Sequence, residues 1–561
     1  MAAECAARLA ARLKAFQQSY KPAAVRESRF EEKDTVLITY ADMVRTAGDS
    51  PLTALTDFLR STVAGLINTV HLLPFYPYSS DDGFSVIDYK AVDPENGSWG
   101  DVRRLGDHFR LMFDAVVNHI SAESEWFRRF RAGDPAYADY FTVVDPQTDL
   151  SAVFRPRALP LLTPVETAGG RQHVWTTFSD DQIDLNYANP DTLLAVMDTL
   201  LFYVAQGAEY IRLDAIAFIW KKIGTSCIHL PQTHEIIKLM RTVLDIVAPH
   251  VVLITETNVP HRDNISYFGN GRDEAQMVYN FSLPPLTLHA FHTGSAALLT
   301  SWAATLVLPS DAVTFFNFLA SHDGIGLTPA KGFLSEAELE HMANRVKRLG
   351  GNVSYKNNSD GSRSAYELNI NYLNALGDPD NPDEPLPLIA QRFLSSQAIM
   401  LALRGVPGIY FHSLFGSQNW PEGVEATRRF RTINRQKLLR DNLSAELNDP
   451  HSLRHYVFNG YRRLLQARTG EPAFHPLGRQ EILALNPAVF SLRRWSQDGK
   501  RRLLCLHNVS AAPQAVSLST LGWDPQPERY IDIVSGETTD INRHRIDITL
   551  PPFGVRWLRF V

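Results

Sequence analysis

The sequence predicts an α/β fold: a closed (β/α)8 TIM barrel with an inserted domain after strand 3 and a C-terminal antiparallel β domain. Three observations predict it. Short apolar runs alternate with longer stretches of helical periodicity, the pattern of βα units around a parallel sheet. Polar residues collect where those runs end, and in such a barrel the loops that follow the strands carry the chemistry. Beyond about Glu471 the periodicity changes to two, with turn residues between short runs, which suits a small antiparallel sheet.

In chain order, Met1 to Tyr20 reads as a helix with apolar residues at helical spacing, and Glu4, Arg8, Arg12 and Lys14 interrupt any export-signal core. Eight strand-like runs follow: Val36 to Ala41, Thr69 to Pro74, Leu111 to His119, Tyr210 to Ile216, Val252 to Asn258, Met277 to Ser282, Val313 to Asp323, and Val406 to Phe411. Asn118, His119, Asp214, Glu256, His322 and Asp323 stand at their ends. The connection from His119 to Asp191 is too long for a simple crossover and reads as a domain of its own. From Asp323 to Pro385 the chain is polar and Gly-containing around Lys356 to Asn369, the composition of a mobile lid. The expected units are 1–119 for the N-terminal helix and first part of the barrel, 120–190 for the insertion, 191–470 for the rest of the barrel with its lid at 324–385, and 471–561 for the β domain.

A chain of 561 residues has material for a large core and more than one domain. Its net charge of −6 and pI near 6.3 offer no basic surface to nucleic acid or an anionic membrane. No apolar run reaches the length of a transmembrane helix. Cys5, Cys227 and Cys505 are an odd number without metal-ligand spacing, so no metal is expected and a reducing, cytoplasmic setting is.

The run Tyr210 to Ile216 carries charge that burial should forbid. Arg212 and Asp214 are two apart, so on a strand they share one face while Ile211 and Leu213 share the other. A guanidinium beside a buried carboxylate holds the acid ionised and fixes its position, as a carboxylate nucleophile requires. Glu256, at the end of the apolar run Val251 to Asn258, is placed to have a raised pKa and keep its proton. One ionised and one protonated carboxyl are what a retaining glycosidase-type mechanism uses.

The string from Arg212 to Lys221, followed by Gly224-Thr-Ser-Cys-Ile-His-Leu-Pro-Gln-Thr-His234, resembles the nucleophile strand and following loop of the sucrose phosphorylase group in glycoside hydrolase family 13, the α-amylase family. Phe113 to His119, the strand of Asp214, Val251 to Asn258 and Phe315 to Gly326 match, in order, the four motif regions of that family. The resemblance implies that Asp214 is the nucleophile, Glu256 the acid/base and Asp323 the carboxylate that binds sugar hydroxyls, with His119, Arg212 and His322 around the sugar. It likewise implies Asp81 at the closed end of the glucose subsite, Phe84 as a stacking platform, Arg435 closing the pocket, and Phe178 and Gln182 lining the acceptor side.

Phosphorolysis needs cationic or hydrogen-bonding groups for a dianion on the acceptor side. By the same resemblance Arg157 contacts phosphate and Tyr366 serves acceptor and phosphate in turn. For an acceptor that carries a carboxylate, the lid offers Lys356, Arg363 and the hydroxyls of Ser364 and Tyr366. The implied reaction uses no metal or organic cofactor, inorganic phosphate being a co-substrate. Its partners are a small sugar substrate and phosphate, with no nucleic acid or membrane, and the chain is expected to be a monomer or homodimer. The segment Tyr76 to Tyr89 is similar to that of longer relatives acting on glucosylglycerate, so 2-O-α-glucosylglycerate is the expected donor. Sucrose and sucrose 6′-phosphate are the alternatives, and a sugar hydrolase or a non-catalytic sugar-binding barrel are readings from other classes.

Overall fold

The computed structural model describes residues 2–21, 28–157, 159–357, 362–518, 528–541 and 547–561. Eight parallel strands close a barrel: β1 (Val36–Thr39), β2 (Thr69–Leu72), β3 (Arg110–Ala115), β4 (Ala208–Leu213), β5 (Val252–Thr255), β6 (Met277–Tyr279), β7 (Thr314–Phe318) and β8 (Val406–Tyr410). Six lie within the expected runs, while β3 starts one residue and β4 two residues before theirs, and sequence neighbours pair all the way round, with Val36 opposite Gly408 where β8 meets β1. Helices cover the outside, so the strands are buried on both faces and read as nearly unbroken apolar runs.

The chain between β3 and β4 leaves the barrel. His119–Ser121 pairs antiparallel with Gln182–Asp184, and Leu162–Thr167 forms a hairpin with Gly170–Trp175. A buried polar hub ties this excursion to the barrel: Asp184 accepts from Asn118 Nδ2 at 3.1 Å and from the Thr177 amide at 2.9 Å, and lies 2.6 Å from Lys221 Nζ. Every polar atom of Asp184 therefore has a partner, which makes its burial tolerable.

The stretch after β7 is more ordered than its polar composition suggests. Ser335 and Glu338 form a capping box that opens a helix, Glu336–Arg348. Asn352–Asn357 and Arg363–Asn369 then form a hairpin whose second strand also pairs with Ile325–Gly326, directly after the barrel strand. Asn358 to Gly361, part of the expected lid, lie outside the described residues.

The N-terminal helix Ala2–Ser19 packs on the helices Pro190–Ala205 and Pro231–Val247, and Arg12 Nε reaches Asp198 at 3.1 Å. At the other end, Gln480–Asn486, Val489–Trp495, Arg502–Asn508, Val555–Phe560, Arg529–Asp532 and Thr538–Asp540 form one antiparallel sheet in that order. Alternation divides its faces. Leu503, Cys505 and Trp557 join the main core, whereas Leu504, Leu506 and Leu558 pack into a separate outer cluster with Val516 and Ile548.

Candidate active site

The C-terminal mouth of the barrel holds a pocket lined by Asp81, Phe84, His119, Phe178, Gln182, Asp214, Glu256, His322 and Asp323, together with Arg157, Lys356, Tyr366, Glu367 and Arg431. Its floor is built by the charges on β3 and β4. Asp114 stands opposite Arg212 in the register. Arg212 Nη1 donates to Asp114 Oδ1 and, at 2.7 Å, to Asp214 Oδ1, while His71 Nε2 donates to Asp114 Oδ2 at 2.6 Å. The guanidinium also lies over the rings of Phe84 and Tyr279, which remove it from water.

The two candidate catalytic carboxyls differ in their neighbours. Burial pushes Glu256 up to about 7, helped by the charges of Asp214 and Asp323 and opposed by Arg212. Burial also raises Asp214, against the pull of Arg212. Arg212 is 2.7 Å from Asp214 but 3.9 Å from Glu256, so its pull is stronger on Asp214 and a proton held between the two acids resides on Glu256. Ala215, directly after Asp214, adopts φ 47° and aims its N–H at Glu256 Oε2, 3.0 Å away.

Asp323 sits in the opposite field. Although burial alone would raise it, Arg431 above all, at 2.6 Å, holds it well below the ordinary carboxylate range. His322, beside it, stacks on Phe84 with ring centroids 4.6 Å apart, and burial lowers its pKa to about 3, so the ring is neutral. Phe84 is fixed through its carbonyl, which accepts from His119 Nε2 at 2.9 Å and Gln182 Nε2 at 3.0 Å. Phe178 closes the side of the pocket, its ring 5.4 Å from that of His119.

Consecutive residues diverge at the closed end. Asp81 lines the pocket and pairs with Arg157 Nη2 at 3.4 Å, whereas Arg435 pairs with Asp82 and donates from Nε to the His322 carbonyl at 2.8 Å. Both aspartates have positive φ, 55° and 50°, so the turn sends their side chains apart. Tyr366 reaches the pocket. Arg363 and Ser364 are not among its lining residues, and Arg363 lies exposed, 5.6 Å over the ring of Tyr355.

Glu367 and Arg431 have no place in the sequence reading of the site. Buried Glu367 accepts from Arg431 Nη2 at 2.7 Å while Nη1 of the same guanidinium holds Asp323, so one arginine joins the hairpin to the pocket. A glutamate in the otherwise apolar run Ala365 to Leu368 was the available signal; its partner lies 64 residues away. Among the described residues no cluster of His, Cys, Asp and Glu could hold a metal ion, and no helix is long and apolar enough to cross a membrane.

The family model for the α-amylase catalytic domain matches residues 62–324, and that for a sucrose hydrolase-like C-terminal domain matches residues 501–559. The chain is 52% identical over 533 residues to a glucosylglycerate phosphorylase of Spirochaeta thermophila, covering 94% of this chain and 90% of that one. It is 49% identical to a glucosylglycerate phosphorylase of Escherichia coli, covering 95% and 93%. In fold it is similar to the crystal structure of sucrose 6F-phosphate phosphorylase from Thermoanaerobacter thermosaccharolyticum, with a TM-score of 0.74 at 23% identity over 92% of this chain and 98% of that one. With a barrel of this topology, its carboxyls at the strand ends and identity of this extent, the chain is an enzyme of the α-amylase family, glycoside hydrolase family 13.

Proposed function

We propose that the enzyme is a retaining α-glucosyl phosphorylase that cleaves 2-O-α-glucosylglycerate with inorganic phosphate, giving α-glucose 1-phosphate and D-glycerate. The observation that carries this reading is the near-full-length identity to glucosylglycerate phosphorylases. The unequal hold on protons at Asp214 and Glu256 supports double displacement. Glu256 protonates the glycosidic oxygen as Asp214 attacks C1, giving a β-glucosyl ester and free glycerate. Phosphate, losing a proton to Glu256, then attacks C1 and releases Asp214. Asp323 binds sugar hydroxyls as positive charge develops at C1. The cycle runs on carboxyl chemistry and needs no metal or organic cofactor. Three unpaired cysteines suit the proposed cytoplasmic setting.

The test is synthesis from glucose 1-phosphate with D-glycerate, glycerol, fructose and fructose 6-phosphate at equal concentration. D-Glycerate is expected to give the highest kcat/KM. Preference for fructose makes the enzyme a sucrose phosphorylase instead, and release of free glucose without phosphate makes it a hydrolase. Asp214→Asn is expected to fold and to lose turnover, and a glucosyl ester trapped on any other residue removes the nucleophile assignment.

A further inference from the structure

Four side chains bring full positive charge to the lining of the pocket: Arg155, Arg157, Arg431 and Lys356. Three are already committed. Arg155 donates to the Leu159 carbonyl, Arg157 pairs with Asp81, and Arg431 is shared between Asp323 and Glu367. Lys356 is different, because among the described residues its side chain makes no ion pair or hydrogen bond. It is half-buried, burial together with the charge of Lys331 lowers its pKa against the pull of Glu336, and among the described residues its ammonium stands in the pocket wall without an ion-paired carboxylate. Such a group costs free energy that an anionic ligand would offset.

The hairpin register explains why Lys356 and not Arg363 has this place. Lys356 is opposite Ser364, so both point to one face of the two strands. Tyr355 points to the other face, where its hydroxyl accepts from Lys347 Nζ at 2.7 Å and its ring lies under Arg363. The cation on the outer face is thus occupied with Tyr355, and the cation on the pocket face is left for a ligand.

We propose that Lys356 is the specificity-determining residue that contacts the carboxylate of the acceptor. The assignment rests on the reading of glycerate as acceptor. With glucose held at the inner end by Asp81, Phe84 and His322, a three-carbon acid attached to C1 extends toward the hairpin that carries Lys356 and Tyr366. An ammonium there separates glycerate from uncharged glycerol, which has the same carbon skeleton and lacks only the charge.

The experiment compares wild type, Lys356→Gln and Lys356→Arg in synthesis from glucose 1-phosphate with D-glycerate or glycerol, with thermal midpoints as the folding control. Lys356→Gln is expected to raise KM for D-glycerate ~10-fold or more, the worth of one charged hydrogen bond. KM for uncharged glycerol should stay within about twofold, and Lys356→Arg should recover most of the loss. An unchanged KM for D-glycerate, an equal rise for glycerol, or a rise confined to glucose 1-phosphate each overturns the assignment while leaving the proposed reaction in place. A wild type that does not use D-glycerate overturns both.

Discussion

The N–H of Ala215 donates to Glu256 Oε2 at 3.0 Å, so the residue after the proposed nucleophile holds the proposed acid in place. The left-handed turn at Ala215, φ 47°, makes this contact possible by aiming the amide across from the end of β4 to the end of β5. Strain of this kind, of order 1–3 kcal/mol, persists where the surrounding structure fixes it.

Glu256→Gln keeps a side chain able to accept from Ala215 but removes the transferable proton. Turnover of 2-O-α-glucosylglycerate should fall by roughly 10²–10⁴, the usual worth of general acid catalysis. Glucosylation by α-glucosyl fluoride, whose leaving group needs no proton, should change far less. Steady-state rates with both donors check this, and equal losses would take Glu256 out of the acid role.

The pH profile follows from the same carboxyl. Glu256 must be protonated to act, and burial places its pKa at about 7, so kcat/KM for the natural donor should decline as pH rises through about 7. Asp214 must be ionised, and because burial raises it, the acid limb should lie above the range of an exposed aspartate. With glucosyl fluoride the alkaline limb should disappear and the acid limb remain. A natural-donor profile that stays flat to pH 9 would contradict the arrangement.

What could be read from the sequence was what local pattern encodes. All eight barrel strands were legible because strands buried on both faces are apolar runs, and Asp214 and Glu256 were legible because a charge closing such a run is conspicuous. The closed end was harder. Asp81 and Asp82 are chemically identical neighbours, and only their backbone turn decides that one meets Arg157 and the other Arg435. The helix Glu336–Arg348 was hidden by its polar surface, although Ser335 and Glu338 announced its first turn. Glu367 and Arg431 meet only through packing of the hairpin against the barrel, which no spacing rule expresses.

Gly408 on β8 has no room for a side chain: a Cβ there would stand 2.3 Å from Cζ of Phe316. Phe316 lies inside the closed sheet and is fully buried, so its ring cannot simply turn aside. Gly408→Ala should cost roughly 1–3 kcal/mol as an overpacked core. Denaturant unfolding followed by fluorescence measures it, and a midpoint equal to wild type would show that the barrel yields there.

Arg431 serves two carboxylates at once, Asp323 and Glu367, and its loss would strand both. Breaking a fully buried ion pair from one side costs roughly 3–5 kcal/mol; Arg431 and Asp323 keep 26% and 23% of their side chains exposed, so water screens part of the stranded charge and the loss should fall below that range. Arg431→Gln should therefore unfold at a lower temperature than wild type at pH 7. The sign of the pH dependence follows from Asp323. Its native pKa is held far down, so its contribution to stability is present above its unfolded value of about 4 and is lost as pH falls through the native value. Without Arg431 that contribution is gone, and the deficit relative to wild type should shrink as pH is lowered below about 4. Turnover should fall as well, since Asp323 would lose the partner that keeps it ionised and oriented. A second substitution separates this from a general packing defect. In the Arg431→Gln background, Glu367→Gln removes one of the two stranded charges, so the double variant should be more stable than Arg431→Gln alone, whereas Glu367→Gln in the wild type should destabilise. A double variant whose loss is the sum of the two single losses would mean that Arg431 and Glu367 are not energetically coupled, and that the hairpin is tied to Asp323 by packing rather than by charge.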